Sequence, residues 1–389
     1  VNSTPKSNGA TEPRICMPSF SGFARNVFRA GLYEAQDVLT SCDDVELIPL
    51  ESSKGFALKS RWMQRLVYHD RSERLALLNP GIKPVRLVRD YDLFVVVCPL
   101  WSDVWYANAV EGWRDHCRQS ICWIDELWSH DIRGLQRWLP ILSKFDYVFV
   151  GIAGTHAALS SALGRQCYET LGAVDALRFS PYPQVPSRVV DFYSVGRKVE
   201  SIHRRLLEWA DENRLFYLYD TLDNSGDRAT SNYRQHRDLY ANIAKRSRFF
   251  AVAPGKANAP EGGRGQVDVG FRYFEGAAAG AVLVGQTPDC DAFRQNFDWP
   301  HAVIETQPDG SDTFETLSKV AGDPEQLLAI GSRNAEQALR RHDWVYRWID
   351  MLNIAGLKPS PAMEARVTRL TELADLAKLH REKLVGAPR

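Results

Sequence analysis

Three prolines within six residues, Pro181, Pro183 and Pro186, break the chain near its middle. Proline lacks the N–H that a helix interior or a central strand requires, so neither element runs through this point. On both sides of the break, short apolar runs alternate with longer mixed segments. Before it the runs fall at 15–17, 45–50, 93–98, 121–124, 147–150 and 168–171, with a helix-length stretch at 23–38. After it they fall at 189–195, 215–219, 249–253, 281–284 and 302–304, interleaved with helical patterns at 200–213, 233–246 and 273–279. Brief, continuously apolar runs suit parallel strands covered by helices on both faces. The pattern predicts an α/β chain of two doubly wound, Rossmann-like domains, 14–181 and 182–345, facing a central cleft. A disordered tail at 1–13 precedes them, and a helical tail at 346–389 follows. Open parallel sheets take ligands beyond the carboxyl ends of their strands, which makes the cleft the expected site.

Composition narrows the class. With 44% hydrophobic and 25% charged residues, the 389-residue chain has ample material for packed cores. Lys plus Arg and Asp plus Glu each number 48, a formal charge of zero. That balance argues against a surface given over to nucleic acid or anionic lipid, while leaving room for a local basic cleft. No run approaches the ~20 apolar residues of a spanning helix, and a charged-then-apolar leader is missing, so a cytoplasmic protein is expected. The seven cysteines are scattered without metal-ligand spacing and read as reduced. Near the C-terminus, Val367, Leu370, Leu373, Ala374, Ala377 and Leu384 keep helical spacing, which suits packing across a domain or homo-oligomer formation.

Four segments carry a family resemblance. Gly172-Ala173-Val174-Asp175 through Phe179-Ser180-Pro181 resembles the G-V-D-x-x-x-F-x-P stretch that closes the first domain of group 1, family 4-like glycosyltransferases of the GT-B fold. Val195-Gly196-Arg197 is similar to the element opening their second domain. Gly270-Phe271-Arg272-Tyr273-Phe274-Glu275, followed by Gly276 to Gly280 and an apolar run, resembles their nucleotide-sugar motif. His342-Asp343-Trp344-Val345-Tyr346-Arg347 looks like the H-x-W-x-x-R segment of one branch. The resemblance implies a GT-B enzyme that moves a sugar from a nucleoside diphosphate donor to an acceptor hydroxyl with retention. No metal or cofactor is expected, since cationic side chains neutralise the leaving diphosphate.

On that resemblance, Arg197 is the diphosphate clamp, able to meet phosphate bidentately, and Glu275 accepts the ribose hydroxyls near a helix N-terminus. Gly270, Phe271, Arg272 and Tyr273 complete the donor-binding segment, with backbone N–H groups and a second cation. Departures matter too. Val267 stands where the family has a first glutamate, leaving Asp268 as its replacement, and Ile202 stands where it has a lysine, with Lys256, Arg264 or Arg272 to compensate. Lys256 belongs to a glycine-rich stretch, 254–265, readable as a flap or as an exposed loop. In the first domain, Gly22 permits close backbone approach to the donor. Asp125 is the acid expected at the donor sugar, with His130 second, and a helix cap is the plainer alternative for Asp125. The aromatics Trp62, Tyr68, Trp101, Trp105, Tyr106 and Trp113 lie in loops that either stack on an acceptor or fill the core.

The partners expected are a nucleotide-sugar donor and an acceptor among glycans, lipid-linked sugars or small molecules, with no nucleic acid. Alternatives on the same fold are a sugar-nucleotide epimerase, a sugar phosphorylase, or a non-catalytic donor-binding subunit.

Overall fold

Every apolar run named above contributes at least one residue to a strand. The computed structural model describes residues 13–69, 74–196, 198–221 and 228–385. Six strands form the first sheet: β1 (Ile15–Ser19), β2 (Val45–Pro49), β4 (Tyr91–Leu100), β6 (Cys117–Glu126), β7 (Tyr147–Val150) and β8 (Tyr168–Glu169). They run in the order β2-β1-β4-β6-β7-β8 with all pairs parallel. Two short strands, β3 (Val85–Arg86) and β5 (Val110–Glu111), pair separately. Five strands form the second sheet: β9 (Val190–Ser194), β10 (Tyr217–Tyr219), β11 (Ser247–Val252), β12 (Val282–Gly285) and β13 (Ile304–Glu305). Their order is β10-β9-β11-β12-β13, again parallel. Both orders reverse direction beside the first strand, and that switch point is where such sheets open a ligand crevice.

The helices that shape the site, numbered in chain order, are α1 (Ala30–Cys42), α2 (Phe56–His69), α3 (Glu200–Glu212), α4 (Tyr233–Ala244), α5 (Phe271–Ala278), α6 (Pro324–Arg341), α7 (Trp344–Ile354) and α8 (Pro361–Val385). Local chemistry sets several starts. Asn232 caps α4 by accepting from the Arg234 and Gln235 N–H groups, and Asp343 caps α7 through the Val345 N–H; such a cap contributes about 1 kcal/mol. The stretch 23–38 begins its α-helix only at Ala30, because a turn and a 3-10 segment at Val27–Arg29 come first.

The proline-rich break separates β8 from β9, and the chain then crosses back. Trp344 and Trp348 of α7 are buried against Trp123 of β6, with ring centroids 5.6 and 5.8 Å apart. Trp348 Nε1 donates to the Ala35 carbonyl in α1 at 2.9 Å. Thus α7, which spans the expected boundary at 345, belongs to the core beneath the first sheet. In α8, Met363, Leu370, Leu373, Ala374 and Ala377 are buried within the fold. The apolar face on which homo-oligomer formation rested is therefore spent inside the chain. Arg366 fixes α8 by pairing with Asp175 at 2.6 Å and Asp343 at 2.7 Å. Among the described residues, no helix is long and apolar enough to cross a membrane.

Candidate active site in the interdomain cleft

A cleft of about 1120 Å³ opens between the carboxyl ends of the two sheets. The ends of β4 and β6 and the loops after β1 and β7 line one wall; the ends of β9, β11 and β12 and the start of α5 line the other. Its volume exceeds the usual upper range for small-ligand pockets, about 1,000 Å³, and leaves room for two substrates.

Asp125 stands near the end of β6, and Asp268 lies in the segment leading to α5; both line the cleft. Burial, the Asp268 carboxylate and Glu126 together push the Asp125 carboxyl well above the ordinary range. The backbone makes room for it. A Cβ at Gly151 would come within 2.7 Å of an Asp125 carboxylate oxygen, so only glycine fits there. Asp125 and Asp268, singled out separately in the sequence, both line the cleft, near enough for the Asp268 carboxylate to act on Asp125. His130 does not join them: it lies outside the cleft lining, beside Trp128 and 3.4 Å from the Asp131 carboxylate.

The second-domain wall is cationic. Arg272 lines the cleft from the first turn of α5, with Nε donating to the Val195 carbonyl and Nη1 donating to Glu275 at 2.6 Å. Lys198 also lines it, donating to the Asp220 carbonyl at 2.5 Å and lying over the Tyr219 ring. Arg228 joins them, paired with Asp220 at 2.8 Å. The proposed clamp, Arg197, lies outside the described residues. Lys198 beside it and Arg228 were missed, although Lys198 follows the Gly196-Arg197 element directly in sequence.

Glu275 is the hub of a buried ion-pair network that its motif does not announce. It sits in the second turn of α5 rather than at the N-terminus, and it is only 1% exposed. One carboxylate oxygen accepts from Arg237 at 2.5 Å; the other accepts from Arg272 at 2.6 Å and the Tyr240 hydroxyl at 2.7 Å. Burial opposes its charge, but the Arg272 and Arg237 guanidiniums outweigh burial and hold the carboxyl at about 2. Glu275 thus lines the cleft and anchors Arg272 in its wall. Arg237 in turn pairs with Glu34 of α1 at 2.8 Å, so the chain of buried charge runs from the first domain to the cleft wall. No local signal marks Glu34, which is 203 residues from Arg237.

Other expectations divide. Gly270 caps α5 and lines the cleft with Phe271. The Phe271 ring faces Gly172, where a Cβ would come within 2.6 Å, so a bare glycine lets the domains meet. Tyr273 is fully buried, donates to the Gln286 carbonyl at 2.6 Å and packs on Phe293; it is a core residue, not a donor ligand. Gly22 is exposed and absent from the cleft lining, its carbonyl accepting from Arg25. Lys256 does line the cleft, with Nζ 3.9 Å from the Trp128 ring of the first domain. The stretch 254–265 is thus no free flap. Gln266 just beyond it accepts from the Ser129 N–H at 2.9 Å and donates to the Ala153 carbonyl and the Thr155 hydroxyl, each at 2.7 Å. Of the aromatics, Trp105 and Trp113 are core, Trp62 is exposed, and Tyr68 has no described side chain.

Residues 187–353 match the model of the glycosyl transferase-like family. No curated protein matches the chain. Among solved structures, an alpha-glucosyltransferase in complex with UDP-glucose and DNA containing an abasic site is similar at 11% identity. It covers 89% of this chain and all of its own, with a TM-score of 0.52. The same kind of enzyme with UDP and a 13-mer DNA containing a HMU base is similar at 10% identity, covering 89% and 100%, with a TM-score of 0.51. These structures overturn the exclusion of nucleic-acid partners, since proteins of this fold are seen holding DNA. The exclusion leaned on a net charge of zero, which is an average over the chain and says nothing of a local patch. The motif resemblance is borne out: this chain has the GT-B glycosyltransferase fold, and its second half carries the glycosyl transferase-like domain.

Proposed function

We propose that the cleft binds a nucleoside diphosphate sugar and transfers its sugar, with retention and without a metal, to an acceptor hydroxyl. The carrying observation is the cluster of cations Lys198, Arg228 and Arg272 on the second-domain wall, where Asp220 and Asp268 also lie, facing a first-domain wall that holds Asp125. The cations suit a leaving diphosphate, which needs positive charge where negative charge develops. Asp125, whose environment favours its neutral form, suits a hydrogen bond to a sugar hydroxyl or a proton passed in the transition state. The acceptor attacks from the face the diphosphate leaves, where a phosphate oxygen takes its proton. Metal independence rests on those same cations and is checked by full activity in chelator. A cytoplasmic setting fits the seven unpaired cysteines, six of them buried.

A second reading, a sugar-nucleotide epimerase, draws on the facing acids Asp125 and Asp268, an arrangement also suited to removing and returning a proton. Incubating purified protein with UDP-, GDP- and dTDP-sugars separates the two. Transfer predicts diphosphate release that depends on an acceptor drawn from a panel of glycans, lipid-linked sugars and DNA. Epimerisation predicts an isomeric donor with no acceptor present.

A further inference from the structure

Helix α2 carries an outward face that the fold leaves uncovered. Leu58, Trp62 and Leu66 are 63, 57 and 54% exposed and lie one turn apart. On another face, about 120° round the helix, Phe56, Met63 and Val67 pack into the first domain. At about 100° per residue, the three exposed side chains span about 80° of the helix circumference, turned away from that packed face. Isolated exposed leucines are ordinary, but a contiguous stripe of large apolar side chains marks an interaction surface.

The charge around the stripe is one-signed. Residues 52–69 contain Lys54, Lys59, Arg61 and Arg65 and no Asp or Glu, in a chain whose total charge is zero. On the helical wheel, Lys59 borders the stripe on one side, and Arg61 and Arg65 border it on the other. The Arg65 guanidinium lies over the Trp62 ring, 5.8 Å from its centroid.

We propose that α2 docks the protein on an anionic lipid surface. Leu58, Trp62 and Leu66 enter the boundary between headgroups and acyl chains, while Lys54, Lys59, Arg61 and Arg65 meet the lipid phosphates. A nucleic acid supplies phosphates for the cations but no apolar layer for two leucines, so the paired chemistry favours lipid. The position has a consequence for the cleft. Phe56 packs edge-on against Phe23 at 5.4 Å, and the chain from Phe23 leads to Val27 and Phe28, which line the cleft on its first-domain side. Phe28 is itself 48% exposed. Docking through α2 brings that side of the cleft toward the bilayer, where an acceptor carrying a lipid anchor would lie.

Co-sedimentation of the full chain with vesicles tests this without any donor or acceptor, so its outcome is separate from the transferase reading. The expected result is binding to phosphatidylcholine vesicles containing about 30% phosphatidylglycerol, at least about tenfold weaker on phosphatidylcholine alone. The triple exchanges Leu58→Ser/Trp62→Ser/Leu66→Ser and Lys59→Glu/Arg61→Glu/Arg65→Glu are each expected to cut binding at least about tenfold and leave the melting temperature in place. As a second readout, acyl-chain quencher lipids should quench tryptophan emission in the wild type and much less in Trp62→Phe. The proposal is overturned by absence of vesicle binding, by binding that the triple exchanges leave unchanged, or by quenching that Trp62→Phe does not reduce. Binding to DNA that the charge exchanges abolish, with no binding to vesicles, overturns it in favour of nucleic acid.

Discussion

Two carboxylates in one cleft are tuned in opposite directions, and the sign of each shift sets what pH does to it. Burial, Asp268 and Glu126 raise Asp125. A carboxyl that holds its proton longer folded than unfolded contributes stability at low pH, and loses it as pH rises from the unfolded value, about 3.9, through the folded one. Asp125→Asn should therefore flatten the decline in melting temperature as pH rises above about 4 while cutting transfer by about 10²–10⁴. An unchanged pH slope in thermal melts would count against it. Glu275 runs the other way, held at about 2 by Arg272 and Arg237 against burial. Its contribution is present above about 4.3 and disappears as pH falls through 2. Glu275→Ala removes the carboxylate that Arg272 and Arg237 share, although Arg237 keeps Glu34, and a loss of about 1.5–3 kcal/mol is expected in denaturant unfolding; a loss under about 1 kcal/mol would contradict the anchoring role. At this scale the sequence was only partly legible. It singled out Asp125, Asp268, Arg272 and Glu275, but not the ion pair of Glu275, because its partner Arg237 lies 38 residues away and leaves no mark in the motif. Tyr273 misled by position, since helical spacing turns its side chain to the core while its neighbour Arg272 faces the cleft.

Strands were the most legible elements, because both sheets are buried on two faces and the apolar runs show directly. Ends were less so, as the late start of α1 shows: Phe23 and Val27 suit an apolar helical face, yet they pack in a turn and a 3-10 segment before Ala30. The glycine-rich stretch 254–265 was open between flap and loose loop, and composition does not decide that. What decides it is Gln266 and Lys256 meeting the first domain. Each hydrogen bond of the Gln266 amide is worth about 0.5–1.5 kcal/mol, so Gln266→Ala should weaken cleft closure. The donor KM is expected to rise at least about fivefold. An unaltered KM in steady-state kinetics would show that the contact does not serve the closed cleft.

At the scale of the whole molecule, the two halves are joined less by the proline-rich segment than by charge and tryptophan. Glu34 accepts from Arg237 across the halves, and α7 and α8 return to pack on the first half after the second is complete. The sequence showed the break but not this return, because the contacts join residues more than 300 positions apart, as with Trp348 and Ala35. Arg366 holds the return through Asp175 and Asp343, so Arg366→Ala leaves the buried Asp343 without a guanidinium, while Asp175 keeps Arg178 at 3.5 Å. A cost of about 3–5 kcal/mol in chemical unfolding is expected, and a change within about 0.5 kcal/mol would refute it. Neutral overall charge likewise resolves into local fields: cations at the donor wall and along α2, acids at the end of β6. The most direct measurement of the donor site is calorimetric titration of wild type and Arg272→Ala with UDP-, GDP- and dTDP-sugars. Saturable binding of at least one donor, weakened at least about tenfold by the exchange, is the expected result; binding of none, or equal binding by the variant, would contradict a nucleotide-sugar site in this cleft.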